Sequence, residues 1–292
     1  VHYRYDEWNR PWSVYSANQS LLGGATHQGI WFDNVGNLTQ LSYADGSATQ
    51  VRRSYDVRNR VASIHSPQLN LVYTYDGESN VMSIAVGNGD ARQEQYGYDG
   101  LGRLVSAQQG ADTLTYTYDG RGNRTHENGV TRWSYDDANV LTHIDTRPVA
   151  TDTNGNMTAK PVEGTSSLVL EYDDHNRLVR SILDGVEQLR NVYDAQGQRV
   201  LKVEEGRETV YMYRGHDTAY ERERDLADPW SNSETWYLSI AGHRVAKVSD
   251  GQVQHLTTDH LGSVRVISDQ TGAPVQRFDY QPYGADLYEN TQ

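Results

Sequence analysis

The seven residues YDGLGRL at 98–104 are rewritten about twenty residues later as YDGRGNR at 118–124. Aligning the chain on the aspartate of that phrase gives further copies at Asp6, Asp33, Asp56, Asp136, Asp152, Asp173 and Asp194, beside Asp99 and Asp119. DHLGSV at Asp259 and DQTGAPV at Asp269 share its tail. Three residues after each aspartate stand Asn9, Gly36, Asn59, Gly102, Gly122, Asn139, Gly155, Asn176, Gly197, Gly262 and Gly272. Glycine and asparagine are the residues that most readily take positive φ. The pattern therefore reads as a type I turn opened by Asp, with Gly or Asn in the left-handed position of a G1 bulge. An aspartate at the first position bonds the backbone two residues on and holds the turn. Asp76 to Asn80 place Ser79 at the left-handed position, which is read as a loop one residue longer.

Between these turns lie alternating runs such as DTLTYTYD (112–119) and LNLVYTYD (69–76), which put Tyr116 with Tyr118, and Tyr73 with Tyr75, on one strand face. A repeat of about twenty residues holds two short strands and two turns. One hairpin cannot bury its face alone, so successive hairpins are expected to stack into a continuous antiparallel sheet with tyrosine ladders. The fold class is all-β. Composition agrees: 36% of residues are hydrophobic, with 21 Tyr against 2 Phe, which suits a sheet faced with amphipathic rings.

The formal net charge of −13 argues against nonspecific binding to nucleic acid or anionic lipid. The chain has no cysteine, which excludes disulfides, a thiol nucleophile and thiolate metal sites. Apolar runs are far too short for a membrane span. VHYRYDEWNR carries no targeting signal and opens inside the repeat pattern, so the chain reads as a piece of a longer polypeptide.

The wording changes near residue 214, where a soft boundary divides a repeat array (1–214) from a second segment (215–292), with one continuous sheet expected across both. AYERERDLADP, ahead of Pro229, reads either as a helical turn or as a surface loop. Beyond it, strand-like runs at Thr235 to Ile240, Arg244 to Val248, Val253 to Thr257, Ser263 to Ser268 and Val275 to Tyr280 form a hairpin meander.

The YD turns resemble the tyrosine-aspartate repeats of Rhs proteins, teneurins and the C component of bacterial insecticidal toxin complexes. YLSIAGHRVAKV, followed by TTDHLGSVRVISDQTGAPVQRFDYQPYG, resembles the Rhs repeat-associated core. The resemblance implies a sheet that curves and spirals into a hollow shell, of which this chain would be a section. In bacterial relatives such a shell encloses a C-terminal toxin or effector domain, used in competition between bacteria. It implies as partners that toxin domain and the rest of the shell, with a toxin-complex subunit or secretion spike beside them. It implies a secreted or extracellular location, or export by a secretion apparatus. Self-cleaving relatives carry an aspartic-protease motif with DPxG near the cut. That motif is not found within these residues, so no catalytic aspartate is carried over and the chain is read as a non-enzyme.

Other chemistry is weakly signalled. His255, Asp259 and His260 stand close in sequence, but a metal site needs further ligands that cannot be identified. No metal or cofactor is expected. The pairs Asp136/Asp137 and Asp173/Asp174 raise a glycan-acting hydrolase, although neighbours at a corner point apart. GNGDARQ (87–93) reads as a loop. Asn18, Asn37, Asn123 and Asn156 sit in glycosylation sequons, three of them produced by the repeat's own wording. Trp8, Trp12, Trp31, Trp133, Trp230 and Trp236 either cover the sheet or stack on sugars or a passenger. A cell-surface or carbohydrate-binding module is thus the alternative to a shell segment.

Overall fold

The structure, a computed structural model, describes residues 2–16, 19–22, 29–43, 50–88, 91–162, 164, 166–228, 230–284 and 286–291; for 2, 15–16, 19–22 and 286–291 it describes the backbone alone. Asn18 and Pro229 lie outside the described residues. Among these residues the chain forms 31 strands, every described pairing antiparallel between neighbours in sequence, in open sheets. No helix is long and apolar enough to cross a membrane among the described residues. The chain is all-β.

It divides into two compact units, Val1–Thr113 with Trp236–Gln292, and Leu114–Thr235. In the first unit, strands Ile30–Phe32, Leu38–Ser42, Gln50–Tyr55, Val61–His65, Asn70–Tyr75, Val81–Gly87, Arg92–Tyr98 and Leu104–Gln109 pair in order. From the other end of the chain come His243–Ser249, Gln252–Thr258, Val264–Ser268 and Pro274–Tyr280, also paired in order. These two runs share one core. Ile30, Leu41, Val51, Ile64 and Leu71 pack in the same buried cluster as Leu238, Ile240, Val245, Val253 and Val266. Each fully buried side chain of this size contributes roughly 1.5–3 kcal/mol. Buried polar contacts tie the runs together: Tyr43 donates to the Val245 carbonyl at 3.0 Å, and Arg53 donates to Thr258 Oγ1 at 3.2 Å.

The second unit is built differently. Strands such as Ser167–Tyr172, Leu178–Leu183, Val186–Tyr193, Arg199–Glu204 and Arg207–Arg214 pair in order, but their apolar side chains are half-buried or, like Val169, Val186, Val192 and Met212, exposed. Among the described residues, Tyr116 is the one hydrophobic residue of this unit counted in a buried core. AYERERDLADP, read as a helical turn or a loop, instead lies mostly in strand Asp217–Asp225. The reason is cross-strand charge matching. Glu208 lies opposite Arg224 and pairs with it at 2.8 Å, and Arg207 pairs with Glu223.

Two turn types alternate along the ribbon. The Asp corners join strands at one edge. Two-residue turns join them at the other: Asn128-Gly129, Asp184-Gly185, Glu205-Gly206 and Asp250-Gly251, with φ near 50° then 74–81°. That is the type I′ pattern, whose twist matches the strands. Ala241-Gly242 is a two-residue turn on the Asp edge, and the Asp269 corner departs from the rule in the other direction. It follows the short strand Val264–Ser268, so it stands at the edge opposite Asp259.

Gly102 has φ 74°, and a Cβ there would meet only Asn80 Oδ1 at 3.9 Å, an ordinary contact. Space is not limiting, so backbone conformation alone sets the cost of a side chain. Gly102→Val is expected to lower stability by roughly 1–3 kcal/mol, and Gly102→Asn by clearly less, because Asn tolerates the left-handed region. Thermal melts of the two variants decide it; equal midpoints would show that the left-handed residue does not hold the corner.

Candidate functional site: the corner ladder and a recess beside it

The Asp56 corner shows how one repeat is locked. Asp56 Oδ1 accepts the backbone N–H of Arg58 at 2.8 Å and of Arg60 at 3.0 Å. Its Oδ2 accepts Arg60 Nε at 2.7 Å. The Asp56 N–H donates to the Arg60 carbonyl, and the Asn59 N–H donates to the Asp56 carbonyl, with Asn59 at φ 61°. The side-chain bond from Arg60, then its backbone N–H, holds the Asp56 carboxyl below its usual range. The same backbone pair recurs at Asp6/Asn9, Asp33/Gly36, Asp99/Gly102, Asp119/Gly122, Asp136/Asn139, Asp152/Gly155, Asp173/Asn176, Asp194/Gly197, Asp259/Gly262 and Asp269/Gly272. All of those third residues have positive φ. Ser79 has it too, at 76°, and Asp76 closes on Asn80 like the others. That loop is not longer by a residue. Serine simply takes the strained position, which the Asp76 clamp supports.

At several corners the residue four after the aspartate also reaches the next corner. Arg60 donates to the Asp76 carbonyl at 3.3 Å and lies 4.3 Å over the Tyr75 ring. Arg10 reaches the Asp33 carbonyl, and Arg177 that of Asp194. Where that residue is Asn and the next corner's left-handed residue is also Asn, the two bond: Asn37 to Asn59 at 3.2 Å, Asn156 to Asn176 at 2.7 Å. Asn37 and Asn156 thus use their amide N–H groups inside the ladder, and a glycan there would break it.

Where a tyrosine precedes a corner it can have a role that local sequence does not show. In five such tyrosines the hydroxyl donates to the carbonyl of the residue five after the aspartate of the preceding corner on the same edge. Tyr55 bonds Leu38, Tyr75 bonds Val61, Tyr98 bonds Val81, Tyr193 bonds Leu178 and Tyr280 bonds Val264, at 2.7–3.1 Å. Each ring is a strut from one corner to its neighbour. Phenylalanine packs the same face but lacks that donor, so these positions favour Tyr over Phe.

The carboxylate pairs do not converge. Asp136 opens a corner and Asp137 is exposed at its centre; Asp173 and Asp174 repeat the arrangement. His255, Asp259 and His260 take separate tasks. His255 stacks on Tyr43 at 4.0 Å, Asp259 Oδ1 accepts the N–H of Leu261 and Ser263, and His260 tilts against Tyr73 at 4.7 Å. Among the described residues no cluster of three or more such groups could hold a metal. Trp230 and Trp236 are exposed, as is Trp8, while Trp12, Trp31 and Trp133 are half-buried.

Within the first unit a recess of about 830 Å³ opens beside the Asp259 corner. Its walls include Val81, Ile84, Tyr96, Tyr98, Leu104 and Tyr280. Behind it runs a charged clasp between the two ends of the chain. Arg92 bonds Glu94 at 2.7 Å and Asp279 at 2.8 Å, and Arg265 bonds Asp279 at 2.5 Å. Burial would raise the Asp279 carboxyl, but the Arg92 bond and both guanidinium charges outweigh it and hold it low. Sequence reasoning missed this clasp, because its partners stand 187 residues apart.

This architecture has known counterparts. The profile of the teneurin YD-shell family matches residues 68–291, and the chain belongs to that family. A curated relative, the tRNA3(Ser)-specific nuclease WapA of Bacillus spizizenii, is 26% identical over 151 residues, which is 52% of this chain and 6% of that protein. Among solved structures, a Photorhabdus luminescens Tc holotoxin pore carrying a TccC3 mutation superposes with a TM-score of 0.76 at 18% identity, over 97% of this chain and 16% of that one. TcdB2-TccC3 without its hypervariable C-terminal region gives a TM-score of 0.76 at 18% identity over 99% of this chain and 17% of that one. The chain therefore has the fold of Rhs-type shells and spans a small part of each relative's length.

His255 is buried, and burial lowers its pKa from 6.5 to about 4. The unfolded chain takes up that proton near 6.5 and the folded chain only near 4, so the stabilisation is complete above 6.5 and is lost as pH falls to about 4. Denaturant midpoints are expected to fall across that window, before the corner aspartates protonate. His255→Phe, which keeps the stack on Tyr43, should reduce the slope; burial also lowers His243 and His260, so part of it remains. An unchanged slope in the variant would remove His255 from this account.

Proposed function

We propose that this chain is a wall segment of an Rhs-type shell that encloses a C-terminal toxin or effector domain and is exported with it. The observation that carries the reading is the ladder. Arginine, asparagine and tyrosine side chains bond neighbouring corners, so hairpins are joined at their corners as well as along their strands, as wall elements would be. Membership of the YD-shell family supports it. The part is containment: the corner aspartates are bound within their own turns, and the chain is proposed to act without catalysis.

On this reading residues 1–214 are the hairpin array and 215–292 the repeat-associated segment of the same wall. The remaining wall and the passenger come from the longer protein, with a toxin-complex subunit or a secretion spike as delivery partner. The named TcdB2-TccC3 structures support a partner of the first kind. The location is outside the producing cell.

The test is protection of a passenger. In a longer protein carrying this segment and a C-terminal domain, the passenger should resist added protease while the wall is intact. Asp56→Ala with Asp99→Ala removes two corner clamps and should expose it to cleavage. Equal cleavage with and without the clamps would sink the containment reading.

A further inference from the structure

We propose that the seam between the two runs of strands in the first unit is an acid-sensitive latch. Protonation of His255, with His260 and His243 contributing, releases the run at 243–280 from the run at 30–109 while the hairpins within each run stay paired. The inference rests on the geometry of the first unit alone and stands independently of the wall reading. Along the seam the later run closes over the earlier one through the shared buried cluster, and side chains rather than a backbone ladder hold it. Such contacts can part without breaking a strand pair.

His255 is 4% exposed, stands opposite Ala246 and Ser268 in its strand pairs, and stacks at 4.0 Å on Tyr43 of the earlier run. Tyr43 in turn donates to the Val245 and Leu256 carbonyls, so one ring and one hydroxyl close this end of the seam. His260 tilts against Tyr73, with 4.7 Å between ring centres. Nδ1 of both histidines is shut off from water and has no hydrogen-bond partner. Nε and Nη1 of Arg53 are in the same position, while its Nη2 crosses the seam to Thr258 at 3.2 Å. The closed seam thus already carries a positive charge short of acceptors. A neutral imidazole can leave Nδ1 without its proton; an imidazolium cannot, and carries a donor there with nothing to accept it. The unmet donor and the buried charge both count against the closed seam.

The charges facing each ring do not reverse this. At His255 burial outweighs Asp269, which favours the proton. The Tyr43 ring face attracts a cation but offers Nδ1 no acceptor. At His260 burial and Arg265 oppose the proton, while Asp259 and Glu94 favour it. Those two carboxylates are already engaged, Asp259 by the Leu261 and Ser263 N–H groups and Glu94 by Arg92 and Tyr96. At His243 burial and Arg53 both oppose it. Elsewhere among the described side chains, His65, His143, His175 and His216 are exposed and His126 bonds Thr131, so the strain of acidification gathers at this seam. For His255 alone, a move from 6.5 to about 4 raises the opening equilibrium about twentyfold between pH 7 and pH 5. The corner carboxylates, held low as at Asp56 and Asp99, keep their clamps over that window, so the hairpins survive it.

Because the chain has no cysteine, a single buried one reports opening cleanly. Val245→Cys places it in the seam cluster, and Ser181→Cys places it at a buried position of the second unit. Each full-length variant is labelled with a disulfide reagent of the dithiodipyridine class at pH 7 and pH 5, with rates divided by those of a free thiol peptide. The Val245→Cys rate should rise about twentyfold or more, the Ser181→Cys rate should stay level, and the far-ultraviolet circular dichroism should keep its strand signal. Adding His255→Phe or His255→Gln to the Val245→Cys chain should remove most of the rise; either will serve, since neither side chain takes up a proton. No rise at the seam, an equal rise in both units, loss of the strand signal along with the rise, or a full rise in the His255 variants would overturn the proposal.

Discussion

Everything in this chain hangs on the corner aspartate. A left-handed residue three positions on is unfavourable for most side chains, and a clamp on the turn offsets that cost. The carboxylate supplies it by accepting two backbone N–H groups and a side chain four residues later, as at Asp56. Because that fourth side chain and the tyrosine strut reach neighbouring corners, clamping one turn also positions the next. Individual bonds at the half-exposed edge are modest, in line with surface ion pairs. Their effect is cumulative, as in other repeat arrays, where stability sums over neighbours.

The two units use this ladder against different backgrounds. In the first, a packed cluster drawn from both ends of the chain adds the hydrophobic effect, and the clasp of Arg92, Asp279 and Arg265 joins the same two runs. In the second, half-buried faces leave backbone pairing, cross-strand ion pairs and rings under arginines as the main supports, for instance Arg177 over Tyr193 at 4.9 Å. Local opening is therefore expected to be easier in the second unit, since few apolar contacts oppose it. The recess lies in the first unit, among residues from both runs of strands.

Legibility followed distance. Strand alternation and the all-β class are written over a few residues and could be read directly. The charged stretch before Pro229 misled because its composition suits a helix or a loop equally; only its pairing with Arg207–Arg214 makes it a strand. Ser79 misled because residue type suggested a different loop, whereas the aspartate and the fourth residue decide the geometry. The Tyr strut left a trace in composition, as an excess of Tyr over Phe, but its acceptor lies a full hairpin away.

By itself, then, the sequence determined the local grammar: where strands run, where bends fall, and that bends recur often enough to build a sheet from hairpins. It could do so because left-handed backbone and period-two alternation are properties of neighbouring residues. Tertiary structure alone decided that residues near 240–280 would close over strands from the first third of the chain, stacking His255 on Tyr43 and setting Asp279 between Arg92 and Arg265. Such contacts depend on burial and charge between segments some two hundred residues apart, and no local pattern encodes which partners will meet.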